Sequence, residues 1–177
     1  MLNDVEAFIR FFHGQRRRTQ WVVDVFPEER ASWSPWPGEM SVAEILCHVA
    51  AAHMMYATVI ADNRWEIDDY GAAATSWESA TAYFNEKTEQ ALDLIRDLPD
   101  RALTEERRRP SDASLSIPIW RLMMLMIEHE IHHRAQLESY LMLCNLRQPR
   151  LDALGVQAVR EGLAGVDTDS EENGAAR

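Results

Sequence analysis

Apolar residues recur with helical spacing in four long stretches of the chain, and no stretch reads as a half-buried strand with a period of two. The fold class this predicts is all-α. The first helix starts near Asn3 or Asp4, either of which can cap it, and carries Val5, Phe8, Ile9, Phe12, Val22 and Phe26 up to Pro27. Gly14 is the point at which it could break. A loop rich in rings and turn formers follows, Trp33-Ser34-Pro35-Trp36-Pro37-Gly38, and the second helix runs from Ser41 to about Asn63. Ser41 and Glu44 have the spacing of a capping box. The third helix begins at Thr75 or Ser76 and continues toward Pro99 through Ala80, Tyr83, Phe84, Ala91, Leu92 and Ile95. Residues 99–117 read as a polar, Arg-rich connection long enough to cross from one end of a bundle to the other. The fourth helix opens with Pro118 in its first turn and extends through Leu122, Met126, Leu137 and Leu141 to about Leu146. Four such helices, each with an apolar stripe, bury one another best as a four-helix bundle.

The length of 177 residues suits one domain, assigned to residues 1–165, with a short helix possible between Pro149 and Gly165. Residues 166–177 are expected to form an acidic, disordered tail. The formal charge is −11, and the segment Glu161–Arg177 contributes five acids against one Arg, leaving −7 for the rest. A nucleic-acid phosphate backbone would be repelled by that field. The only basic runs, Arg16-Arg17-Arg18 and Arg107-Arg108-Arg109, lack interleaved aromatic rings and read as solvated surface. Asp4 and Glu6 are out of place in an export signal, and the most apolar segment, Ile117 to Ile127, is interrupted by Arg121, so no membrane helix is expected. Cys47 and Cys144 sit in apolar helical patterns, as buried unpaired thiols do, which places the protein in a reducing cytoplasm.

The chemistry concentrates in the histidines. Residues four apart on a helix lie about 40° apart around its axis and about 6 Å apart along it. His129 and His133 therefore point the same way from successive turns and can share a divalent metal ion. The third ligand must come from another helix, and His48 lies on the inward stripe Ile45, His48, Ala52, Met55. His132 lies about 100° around the axis from His133 and should face a neighbouring helix or a partner. His53, turned well away from His48, and His13, beside Gly14, are read as non-ligands, and Cys47 as packing.

The segments SVAEILCHVAAAH and EHEIHHRAQL together resemble the DinB/YfiT-like superfamily of metal-dependent four-helix proteins, over roughly Leu2 to Leu154. The string His132-His133-Arg134-Ala135-Gln136 is similar to that family's HHRGQ-like motif, with Ala135 where Gly is usual. The resemblance implies His48, His129 and His133 as metal ligands, the trio that spacing also selects. It further implies a long second-to-third or third-to-fourth crossing, frequent homodimers, and activities that include metal-dependent transfer of low-molecular-weight thiols and thiol-dependent isomerisation.

His129-Glu130-Ile131-His132-His133 also fits H-E-x-x-H, in which Glu130 would activate water in a zinc protease. The extended signature fails, with Gln136 and Ser139 where Gly and His are required. Three neutral imidazoles suit zinc, nickel, copper and iron alike, with zinc or nickel the expected ion, and leave a coordination position open. The expected activity is attack by a small thiol or water on a small-molecule electrophile, by a metal-dependent transferase or hydrolase. Glu130 and Glu44 are the candidate bases, although Glu130 reads more simply as a solvated helix residue and Glu44 as a cap. Pocket walls are assigned to Ile45, Met55, Met126, Leu137 and Tyr140. The competing expectations are a non-catalytic metal-binding or dimerising protein and, last, the protease.

Overall fold

The computed structural model describes residues 4–149 and 151. Four helices dominate it: α1 (Val5–Val23), α2 (Val42–Asp62), α3 (Trp77–Arg96) and α4 (Ile119–Leu143). The fold is all-α in class, as its periodicity predicts. The expected short helix after Pro149 and the acidic tail lie outside the described residues.

Local chemistry accounts for the helix ends. The Asp4 side chain accepts from the Ala7 amide and starts α1. The capping box of α2 is complete: Glu44 N–H donates to the Ser41 hydroxyl, and Ser41 N–H donates to the Glu44 carboxylate. Asn63 ends α2 at φ 55°, a left-handed position that Asn tolerates better than most residues. Gly14 does not break α1, because it is buried mid-helix and the apolar contacts on either side outweigh its propensity cost. Pro118 is the residue before the first turn of α4 rather than within it.

α2 packs along both α3 and α4, while α1 packs along α4 and, over a shorter stretch, α3. Helices adjacent in sequence, α1 with α2 and α3 with α4, therefore sit diagonally across the core, and the connection between α3 and α4 makes a crossing. One end of the core gathers Phe8, Phe12, Ile60, Leu92, Ile95, Leu122, Met123 and Met126, and the other gathers Val22, Phe26, Ile45, Leu46, Phe84, Leu137 and Leu141. α2 is long and apolar enough to cross a membrane by composition, but 72% of its most apolar window is buried inside the protein, as in a core helix.

The 99–117 connection is not merely a polar loop. A 3-10 turn (Asp100–Thr104) leads into an antiparallel hairpin of β1 (Glu106–Arg109) and β2 (Asp112–Pro118), with Arg107 opposite Ile117 and Arg108 opposite Ser116. The segment Ala113-Ser114-Leu115-Ser116-Ile117 does alternate, so the expectation that no stretch has period two fails here. The ribbon is tied to the end of α2: Arg107 Nε donates to the Ile60 carbonyl at 2.9 Å and Trp65 Nε1 to the Arg108 carbonyl at 3.1 Å. Arg107 is thus partly engaged. The other Arg run also departs from a solvated surface, because the Arg16 guanidinium lies 3.5 Å from the Phe84 ring centroid and donates to Asn85.

Candidate metal centre

α2 and α4 bring His48, His129 and His133 together. The ring centroids are 5.0 Å apart for His48 and His129, 4.8 Å for His48 and His133, and 4.5 Å for His129 and His133. One ring nitrogen from each lies within 4.8 Å of the others. His48 Nε2 and His129 Nε2 are 3.1 Å apart. Two nitrogens at that separation, each about 2.0–2.1 Å from a common point, subtend about 100° there, between octahedral and tetrahedral values. Three neutral imidazoles are a donor type that suits a divalent ion such as zinc, and the His48–His129 pair already has the spacing for it.

Protonation would destroy such a set, and the surroundings oppose it. Burial pushes the His129 imidazole down to about 3, with the neighbouring His133 and His48 charges adding to the effect. His48 is lowered by burial. His133 is lowered by burial despite a supporting bond to Gln136. All three rings are neutral near pH 7, the form that ligates.

Two rings are held from behind. His133 Nδ1 lies 2.9 Å from Gln136 Oε1, and His48 Nδ1 lies 3.4 Å from the hydroxyl of Tyr70, a residue of the connection between α2 and α3. With its Nδ1 held, His48 presents Nε2 toward His129 Nε2, and outer partners of this kind orient metal-binding imidazoles. Tyr70 escapes the sequence reading, and Gln136 enters it only as part of the HHRGQ-like string, without this role. A polar residue three positions after a ligand on the same helix could have drawn attention to Gln136, but nothing local marks Tyr70.

The remaining candidates go elsewhere. Glu130 is fully buried, not solvated, and its carboxylate is 3.4 Å from His53 Nε2. His53 is buried too, its Nδ1 3.1 Å from the Thr88 hydroxyl and its ring edge-on to Phe12. Burial opposes ionisation of Glu130, yet the nearness of the His53 ring at 3.4 Å and the charge of Arg16 hold its carboxyl below the usual range. Glu44 stays in its capping box at the surface. His132 is exposed and touches only the His133 ring among the described ring contacts, and His13 is exposed. Cys47 is buried, its thiol pushed up to about 11 by burial and by Glu44, which makes it a packing residue as expected. Of the expected walls, Ile45, Met126, Leu137 and Tyr140 are buried, while Met55 is half-buried.

A family model described as the DinB superfamily matches residues 12–137. The chain belongs to the DinB superfamily. A crystal structure of a DinB-like protein from Bacillus cereus is similar to it, with a TM-score of 0.70, 20% identity, and coverage of 84% of this chain and 98% of that one. A DinB-like protein from Bacillus subtilis, YjoA, is also similar, with a TM-score of 0.61, 19% identity, and coverage of 82% and 99%. At these identities the two establish the shared fold. A search of curated proteins returns no match.

Proposed function

We propose that this DinB superfamily member binds one divalent metal ion, zinc or nickel, through His48, His129 and His133, and acts as a transferase or hydrolase on a small substrate. The observation that carries the proposal is the convergence of three neutral imidazoles from two helices, with two Nε2 atoms 3.1 Å apart. An ion held by these three residues would supply Lewis acidity and lower the pKa of a small thiol or water toward neutrality.

The chain's own groups do the rest. Burial keeps the imidazoles unprotonated, and Gln136 and Tyr70 hold two of them in orientation. Burial and Glu44 raise the Tyr70 phenol, so it stays protonated. If its oxygen accepts from His48 Nδ1, its own O–H is free to donate to an anionic atom of a substrate at the rim. Glu130 cannot serve as the protease-type base, because its carboxylate is committed to His53 inside the core. We further propose a cytoplasmic homodimer that takes a low-molecular-weight thiol as co-substrate.

Substitution with cobalt provides the test. Addition of a small thiol to the cobalt-loaded protein should produce a thiolate-to-metal charge-transfer band, absent in His48→Ala. Cobalt binding without such a band, and with no turnover of thiol-acceptor or ester substrates, would favour the rival reading of a non-catalytic metal-binding protein.

A further inference from the structure

The bond behind His133 does not end at Gln136. Gln136 Nε2 is 3.1 Å from the Tyr140 hydroxyl, and that hydroxyl is 3.0 Å from the backbone carbonyl of Met40. A carbonyl oxygen can only accept, so the Tyr140 O–H must donate to Met40. The Tyr140 oxygen is then left as an acceptor, and the Gln136 amide must present its NH₂ to it. This turns Gln136 Oε1, which can only accept, toward His133, whose Nδ1 must carry the proton. Each link has one possible direction, and the direction is set some way from the imidazole it controls.

We infer that Tyr140 and Gln136 are positioning residues that fix His133 in its Nδ1–H form, leaving the Nε2 lone pair directed at His48 and His129. This relay deepens the metal-centre reading and rests on it for its functional meaning. Its anchor is rigid. Tyr140 is buried and meets the Trp33 ring edge-on at 5.3 Å, and the Trp33 carbonyl accepts from Val42 N–H in the first turn of α2. The ring-rich loop before α2 therefore places a carbonyl at the head of the relay.

Variants of the two residues should differ in what they do to the ring. Tyr140→Phe removes the group that sorts the two ends of the Gln136 amide. The amide can then turn over and offer N–H to His133 Nδ1, which favours the Nε2–H form that cannot ligate. Gln136→Met removes the acceptor while keeping the length of the side chain. Gln136→Glu keeps an acceptor, because a carboxylate can receive from Nδ1–H and cannot donate to it.

The experiment is long-range proton–nitrogen NMR of the metal-free, 15N-labelled full chain, at a pH about 1.5 units above the ordinary histidine value of about 6.5. Zinc competition titrations on the same samples complete it. In the native chain His133 should show a protonated Nδ1 and an unprotonated Nε2. Gln136→Glu should retain that pattern, whereas Tyr140→Phe and Gln136→Met should lose or mix it. Zinc affinity should fall about 10- to 100-fold in Gln136→Met and about 10-fold in Tyr140→Phe. A native His133 protonated on Nε2, or an unchanged pattern in Gln136→Met, would overturn the relay even if zinc binds. The predicted nitrogen pattern in a chain that binds no zinc would leave the relay standing and remove the metal reading instead.

Discussion

Replacing His53 with Leu would strand the Glu130 carboxylate in the core. The two side chains are fully buried and 3.4 Å apart, and His53 also partners the Thr88 hydroxyl at 3.1 Å. Removing one member of a buried pair costs about 3–5 kcal/mol, and a lost hydrogen bond to a neutral hydroxyl costs about 1 kcal/mol. Arg16 still attracts Glu130, so the low end applies, about 3–4 kcal/mol in all. Glu130→Leu alone should cost a similar amount, because it leaves His53 Nε2 without its partner in the core and removes the buried counter-charge of Arg16. The double variant removes both desolvated groups together, and exchanging a buried pair for apolar residues of similar size is often neutral. It should therefore be more stable than either single variant and lie within about 2 kcal/mol of the native chain. Urea unfolding of metal-free samples followed by circular dichroism gives the three free energies. A double variant whose loss equals the sum of the two single losses would refute the coupling, and with it the view of this pair as one buried unit.

The metal-free protein should lose stability as the pH falls below about 6.5, the ordinary histidine value. The unfolded chain then takes up protons that His48, His129 and His133 refuse in the fold. The loss should continue toward the His129 value of about 3 and flatten in His129→Gln, which a urea series at several pH values would show. Ser41→Ala should cost about 1 kcal/mol by removing half of the capping box, measured by the same unfolding assay. Cys47 should resist thiol reagents under native conditions and react on unfolding, because it is buried and its thiol lies at about 11. Rapid native labelling of Cys47 would contradict its packing role.

The four helices are legible in the sequence because their apolar residues repeat over many turns and their caps are local. The His129 and His133 pair is legible for the same reason, since helix geometry alone turns two rings four apart the same way. His48 can be chosen from its stripe on α2. Glu130 misleads by its charge, although Met126, Glu130, His133 and Leu137 follow the spacing of one buried face and the pattern contains its position. The hairpin escapes because a short two-stranded ribbon carries only five alternating residues, flanked by an Arg run that looks like surface. Tyr70 behind His48 and the Met40 carbonyl behind Tyr140 are beyond reach. They act across 22 and 100 positions, and no local pattern encodes a contact that only the bundle creates.

Elemental analysis of the untagged full chain, together with its His→Ala series, bears most directly on the central claim. The metal centre predicts one divalent ion per chain in the native protein, and its loss in His48→Ala, His129→Ala and His133→Ala. It predicts retention in His132→Ala and in His13→Ala. One ion per chain retained in both His48→Ala and His133→Ala would contradict the metal centre.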